Sequence, residues 1–129
     1  MRLYQASDEV YRALKSSESL KDCYIIKAYP CAVKPTRLKR TVITVSPAVG
    51  EFESEALGGG EYYGGFYVKT DIFIPFSFGS PVKSEVTDGV IKALCMLKPS
   101  QIKAGEFKSD DNLSALHAEC EIRLFGEYS

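Results

Sequence analysis

Phe66-Tyr67-Val68-Lys69-Thr70-Asp71-Ile72-Phe73-Ile74-Pro75-Phe76 alternates apolar and polar side chains, and its reading decides the fold. Successive residues of a strand point to opposite faces. Val68, Thr70, Ile72, Ile74 and Phe76 therefore share one face, and Tyr67, Lys69, Asp71 and Phe73 the other. Pro75 has no N–H for a ladder, so this end is an edge or a strand terminus. A second alternating run, Leu116 to Phe125, puts Ala118, Cys120, Ile122 and Leu124 on one side. His117, Glu119, Glu121 and Arg123 share its other side, where a lone histidine reads as a surface residue.

Outward from these strands, Thr41-Val42-Ile43-Thr44-Val45-Ser46 is rich in β-branched residues and predicts a strand. Its pairing is expected to extend past Pro47 to Phe52 and Glu53. Glu55 to Gly65 holds five of the ten glycines. Glycine has the most backbone freedom to lose on ordering, so this stretch reads as a mobile hairpin tip and not as a regular element. Gln101 to Lys108 predicts a partner for Leu116 to Phe125, with Ser109-Asp110-Asp111-Asn112 as the turn.

Two stretches have helical spacing. Leu3, Ala6, Val10, Ala13 and Leu14 form one stripe, and Val82, Val86, Val90, Ala93, Leu94 and Leu97 form the other. Ser80 is the expected N-cap of the second helix, with Pro81 at its first helical position and Lys98-Pro99 ending it. Gly89 interrupts the stripe and implies a close approach of that helix to the sheet. Cys23 to Pro30 is extended and apolar, and residues 31–37 read as irregular surface chain.

These elements predict an α+β fold in one domain, residues 1–129. The expected architecture is a two-layer sandwich: an antiparallel sheet of at least four strands with two helices on one face, in the order α-β-β-α-β-β. At 129 residues the chain can bury a core without disulfides or metal. It has no run of 18 apolar residues, and its N-terminus turns polar too early for a secretory signal. The expectation is a soluble intracellular protein with no membrane partner.

The chemistry-bearing residues are sparse. Cys23, Cys31, Cys95 and Cys120 form no C-x-x-C pair, and His117 is the single histidine. Zinc sites recruit ligands in close pairs, so no metal is expected and the cysteines read as small core side chains. The pairs Glu119/Glu121 and Asp110/Asp111 lack the contrasting environments that acid–base catalysis needs. The glycine-rich stretch fits neither a phosphate loop nor a dinucleotide fingerprint. No catalytic, cofactor or metal residue is assigned, and no enzyme activity is expected.

The net charge of −1 hides an asymmetry. Residues 1–40 carry nine basic and four acidic side chains, and residues 41–62 carry four glutamates and no basic residue. Lys34, Arg37, Lys39 and Arg40 form the basic cluster. Glu51, Glu53, Glu55 and Glu61 form the acidic arm. The cluster comes with no nucleic-acid-binding motif, which argues against direct nucleic-acid contact. A solvated surface with no partner is one reading of such charge runs. In the other, complementary charge steers a head-to-tail contact between copies, and a head-to-tail contact that closes makes a ring. Candidate interface residues are Lys34, Arg37, Lys39, Arg40, Glu53, Glu55, Gly58, Gly59, Gly60, Tyr62, Tyr63, Tyr67, Phe73 and Phe125. Tyr62 and Tyr63 stand in the glycine-rich stretch, and Tyr67, Phe73 and Phe125 make one strand face aromatic.

The whole-chain order resembles the small tail-terminator and tail-completion proteins of long-tailed bacteriophages. The resemblance lies in the N-terminal helix ending in Ile25-Ile26-Lys27-Ala28-Tyr29-Pro30, the strand Val42 to Val45, and the long arm through Glu53 to Gly60. It continues through Val68 to Pro75, the helix Val82 to Leu97 and the strand Ala118 to Phe125. It implies a non-enzymatic phage or prophage structural protein. Members of that family form a homo-oligomeric ring, often a hexamer, which caps the tail tube and meets the head–tail connector. The implied location is the virion tail, or the bacterial cytoplasm during assembly. The alternative is a small intracellular α+β ligand-binding or regulatory domain, with Tyr67, Phe73, His117 and Phe125 lining an aromatic pocket.

Overall fold

A computed structural model describes residues 1–29, 38–54 and 60–129. The elements in chain order are α1 (Leu3–Lys15), a 3-10 turn (Glu18–Leu20), β1 (Tyr24–Lys27), β2 (Val42–Val45), β3 (Val49–Ser54) and β4 (Tyr62–Pro75). They continue with α2 (Ser80–Cys95), β5 (Gln101–Ala104), β6 (Lys108–Asp110) and β7 (Ala115–Tyr128). The class is α+β, with two α-helices and one seven-stranded sheet among the described residues.

The spine of the sheet is the antiparallel pair β4–β7, in register from Tyr62↔Tyr128 to Pro75↔Ala115. β2 and β3 both pair with β4 along its other edge, and β5 and β6 both pair with the far edge of β7. Pairing thus continues past Pro47 to Phe52 and Glu53, as the sequence predicts. Between β2 and β3, Ser46, Pro47 and Ala48 stand opposite Lys69 and Val68 alone, a one-residue bulge. Pro47 is at home there, because a bulged residue is left out of the ladder. Gly105, Glu106 and Phe107 likewise face Glu119 and Ala118 between β5 and β6.

β1 departs from the all-antiparallel expectation. It pairs parallel with β2, from Tyr24↔Val42 to Lys27↔Val45, so the sheet is mixed. A parallel neighbour needs a long connection, and the fourteen residues from Ala28 to Thr41 supply one. The extended stretch expected from Cys23 thus contains a strand, Tyr24–Lys27, which the expected element order lacked.

One core joins both helices to one sheet face. Ala6, Val10 and Leu14 of α1 and Val86, Val90, Ala93 and Leu94 of α2 pack with Ile25, Ile43, Val45, Phe66, Val68, Ile72, Ile74, Cys120, Ile122 and Leu124. Phe52 adds an edge-on contact to Phe66, with ring centroids 4.8 Å apart. A second, smaller cluster lies on the opposite face: Val42, Phe73, Leu113 and Ala115, with Leu38 against them. The turn before β7 builds it. Oδ1 of Asp110 accepts the Leu113 N–H at 3.3 Å, and Ser114 takes a left-handed φ of 50°.

Several local expectations are corrected. Tyr62, Tyr63, Gly64 and Gly65 are strand residues, not a hairpin tip, because β4 pairs there with β3 and β7 at once. Gly64 is a close-approach position: a Cβ on it would meet the Glu51 carbonyl oxygen and lie 2.8 Å from the Phe52 Cα. Phe76 falls beyond β4 and is exposed. The N-cap of α2 is Gly79, one residue earlier than Ser80, and it makes no side-chain cap. Gly89 approaches the 3-10 turn and not the sheet; a Cβ there would lie 3.0 Å from Leu20 Cδ2 and 3.1 Å from Ser19 Cβ. Cys95 is exposed, whereas Cys120 is buried as expected. Residues 31–37 and 56–59 lie outside the described residues.

Candidate functional site: the open face of the sheet

The face away from the helices follows from strand register. Directly paired residues point the same way, so Val49, Glu51 and Glu53 of β3 share this face with Tyr67, Gly65 and Tyr63 of β4. Arg123, Phe125 and Glu127 continue the row on β7. At this end Glu51, Glu53, Ser54, Tyr63, Gly64, Tyr67, Arg123 and Phe125 enclose a concavity of about 450 Å³.

Arg123 is its centre. Its guanidinium lies 5.9 Å from the Tyr67 ring centroid and 5.4 Å from that of Phe125. Its Nη1 donates to Ser100 Oγ at 3.0 Å, which fixes the planar group between the two rings. Phe125 is 61 % exposed, so one aromatic wall meets solvent. Sequence reasoning missed Arg123, although the alternation of β7 places it beside Phe125. That Arg123 stands beside Tyr67 is visible only through the β4–β7 register.

Further along the same face, Thr44, Asp71 and Glu119 form a cross-strand row. His117, two residues before Glu119 on β7, shares their face. Its Nε2 lies 2.7 Å from Oδ1 of Asp71, and its ring stacks on Phe73 with centroids 4.4 Å apart at 12°. Asp71 is fully buried. Burial pushes its carboxyl up from the ordinary range, against the opposing pull of the His117 hydrogen bond. Neither Oδ2 of Asp71 nor Oγ1 of the fully buried Thr44 has a hydrogen-bond partner among the described residues. Lys69 Nζ reaches Oε2 of Glu119 at 3.8 Å on the exposed side. His117 is therefore no plain surface residue but one half of a pair with a buried acid.

The predicted interface residues divide. Glu53, Tyr63, Tyr67 and Phe125 are brought together in the concavity with Glu51 and Arg123. Phe73 does not join them: it is 2 % exposed, covered by Val42, Leu113 and Ala115. The expectation that Phe73 belongs to an aromatic strand face left free for a neighbouring copy is corrected, because Leu113 from the turn before β7 packs over it. The expected pocket of Tyr67, Phe73, His117 and Phe125 is likewise split into two separate places. Tyr62 sits on the helix side of the sheet, in register with Ser54 and Tyr128, and Gly60 is exposed. Lys39 and Arg40 are exposed at the other end, ahead of β2, where Arg40 lies 5.7 Å from the Tyr24 ring centroid. Lys34, Arg37, Glu55, Gly58 and Gly59 lie outside the described residues.

No helix among the described residues is long and apolar enough to cross a membrane. No known family model matches the chain, and no curated protein matches it.

Proposed function

We propose that this protein is a non-enzymatic structural subunit that joins head to tail with its own copies, as the resemblance to phage tail-terminator and tail-completion proteins implies. The observation that carries the reading is the polarity of the open face. Glu53 pairs with Tyr63 and Val42 with Phe73, ten positions apart on β4. The acidic aromatic end and the basic residues ahead of β2 are thus separated by roughly 33 Å of strand, at about 3.3 Å per residue. Opposite charges at opposite ends favour a contact that repeats in one direction.

The two ends have different tasks. Ion pairs at a wet rim contribute only about 0–1 kcal/mol each, so Lys39, Arg40, Glu51 and Glu53 set register and encounter rate. Phe125 and Tyr67, stiffened by Arg123, supply the area that holds the copies together. The partners in this reading are further copies in a ring, the tail tube and the head–tail connector. Its place is the virion tail, or the bacterial cytoplasm during assembly.

Sedimentation velocity at high protein concentration, with and without tail tubes, tests this. The wild type is expected to form a closed oligomer, and Phe125→Glu to remain monomeric with an unchanged fold. A wild type that stays monomeric in both settings overturns the reading, as does a Phe125→Glu variant that assembles normally. Phe73→Glu is unsuitable as a probe, because it places a charge in the second core cluster.

A further inference from the structure

We propose that Asp71, His117 and Glu119 bind a divalent transition-metal ion of the zinc class on the open face of the sheet. The placement follows from strand geometry. His117 and Glu119 are two residues apart on β7 and point the same way, and Asp71 stands directly across from Glu119 on β4. Rigid, doubly paired strands thus present one imidazole and two carboxylates to a single point. One ligand atom from each residue lies within 4.8 Å of the other two.

Two further oxygens point to a cation. Asp71 is fully buried, yet its Oδ2 has no partner among the described residues. Thr44, directly across from Asp71 on β2 and also fully buried, has an equally unpartnered Oγ1. Buried polar atoms are ordinarily paired, and two such orphans on adjacent residues of one row imply a common partner. A carboxylate oxygen accepts only, and a hydroxyl oxygen offers lone pairs as well. A bound cation suits both.

The surroundings fit the role. The Phe73 ring stacked on His117 fixes the imidazole plane. Glu119 is half exposed, so it can swing onto an ion and leave a coordination position open to water. Imidazole with carboxylates selects zinc-like ions over calcium or magnesium, which prefer oxygen alone. Lys69 Nζ now neutralises Glu119 at 3.8 Å, and the ion would displace it. The sequence conceals this site because Asp71 and His117 are 46 residues apart and only the β4–β7 register brings them together.

Titration calorimetry of the chelator-treated full chain with zinc chloride tests the site, together with the visible spectrum of the protein titrated with cobalt chloride. One ion per chain is expected, with cobalt d–d bands and no thiolate charge-transfer band. That last feature separates the site from Cys23, Cys95 and Cys120. His117→Ala and Glu119→Gln should each weaken binding at least about 10-fold, since even outer-shell changes at metal sites cost that much. Glu119 is exposed, so its variant keeps the fold. No binding by the wild type, a thiolate band, or unchanged binding in both variants overturns the proposal. Those outcomes would leave a proton or a bridging water as the partner of the two orphan oxygens.

Discussion

The Arg123 side chain lies across Gly65. A Cβ on Gly65 would sit 2.5 Å from its Nε and 3.1 Å from its Cγ. The neighbouring Gly64 faces backbone instead, the Glu51 carbonyl and the Phe52 Cα. This difference between two adjacent glycines sets the first prediction. A long side chain can move aside, whereas a paired strand cannot. Gly64→Ala should cost more than the roughly 1–3 kcal/mol typical of overpacking, and should loosen β3 from β4. Gly65→Ala should cost less and chiefly displace Arg123. Urea midpoints of the two variants check the ordering; equal losses would contradict it.

Phe73→Ala should destabilise the fold by about 3–5 kcal/mol, the usual loss for a buried phenylalanine. It should also free the His117 ring and leave the self-association of Phe125 intact. Thermal unfolding and sedimentation on the same sample separate the two effects. A stable variant that no longer assembles would return Phe73 to the interface.

Asp71 gives stability a definite pH slope. Burial raises its carboxyl above its value in the unfolded chain, with His117, Lys69 and Glu119 as the charged neighbours. Between the ordinary carboxylate value, about 3.9, and the raised one, the native state holds a proton that the unfolded state has lost. Stability from this group is therefore greatest at low pH and falls as pH rises through that window. Asp71→Asn removes the slope, so the variant should gain on the wild type as pH rises. Denaturant midpoints of both proteins from about pH 4 to 7 report it, and parallel curves would show that Asp71 does not titrate there.

Cys95 is exposed at the end of α2, while Cys120 is 3 % exposed on the core side of β7. Alkylation of the native protein should label Cys95 quickly and Cys120 only after unfolding. Mass mapping of the labelled peptides checks this, and early labelling of Cys120 would mean that β7 opens locally.

Much of the fold was legible because burial on one face imprints a period on the sequence. The alternation of Val68 to Ile74 and of Ala118 to Leu124 predicts β4 and β7 with their correct inner faces. The spacing of Ala6, Val10 and Leu14 does the same for α1. Period carries no register, however. It places Asp71 and His117 on outer faces without showing that their side chains meet at 2.7 Å. Nor does it show that a distant Leu113 closes over Phe73. Glycine misled for a related reason: entropy disfavours it in strands, yet contact with a third strand can require it, as at Gly64. Of the candidate interface residues, Tyr67 and Phe125 could be read from one strand each, and Arg123 gains its meaning only between them.

The extra residue at Ser46-Pro47-Ala48 acts on side chains as an inserted letter acts on a message. Val45 and the positions two apart before it point toward the helices, and without the bulge Val49, Glu51 and Glu53 would follow them inward. The insertion shifts the phase, so Phe52 goes in to meet Phe66 and the glutamates go out. Any relative of this chain that lost one residue there would have to regain it nearby or rewrite the whole of β3. Length at that point should therefore be held constant even where the identities of the three residues drift.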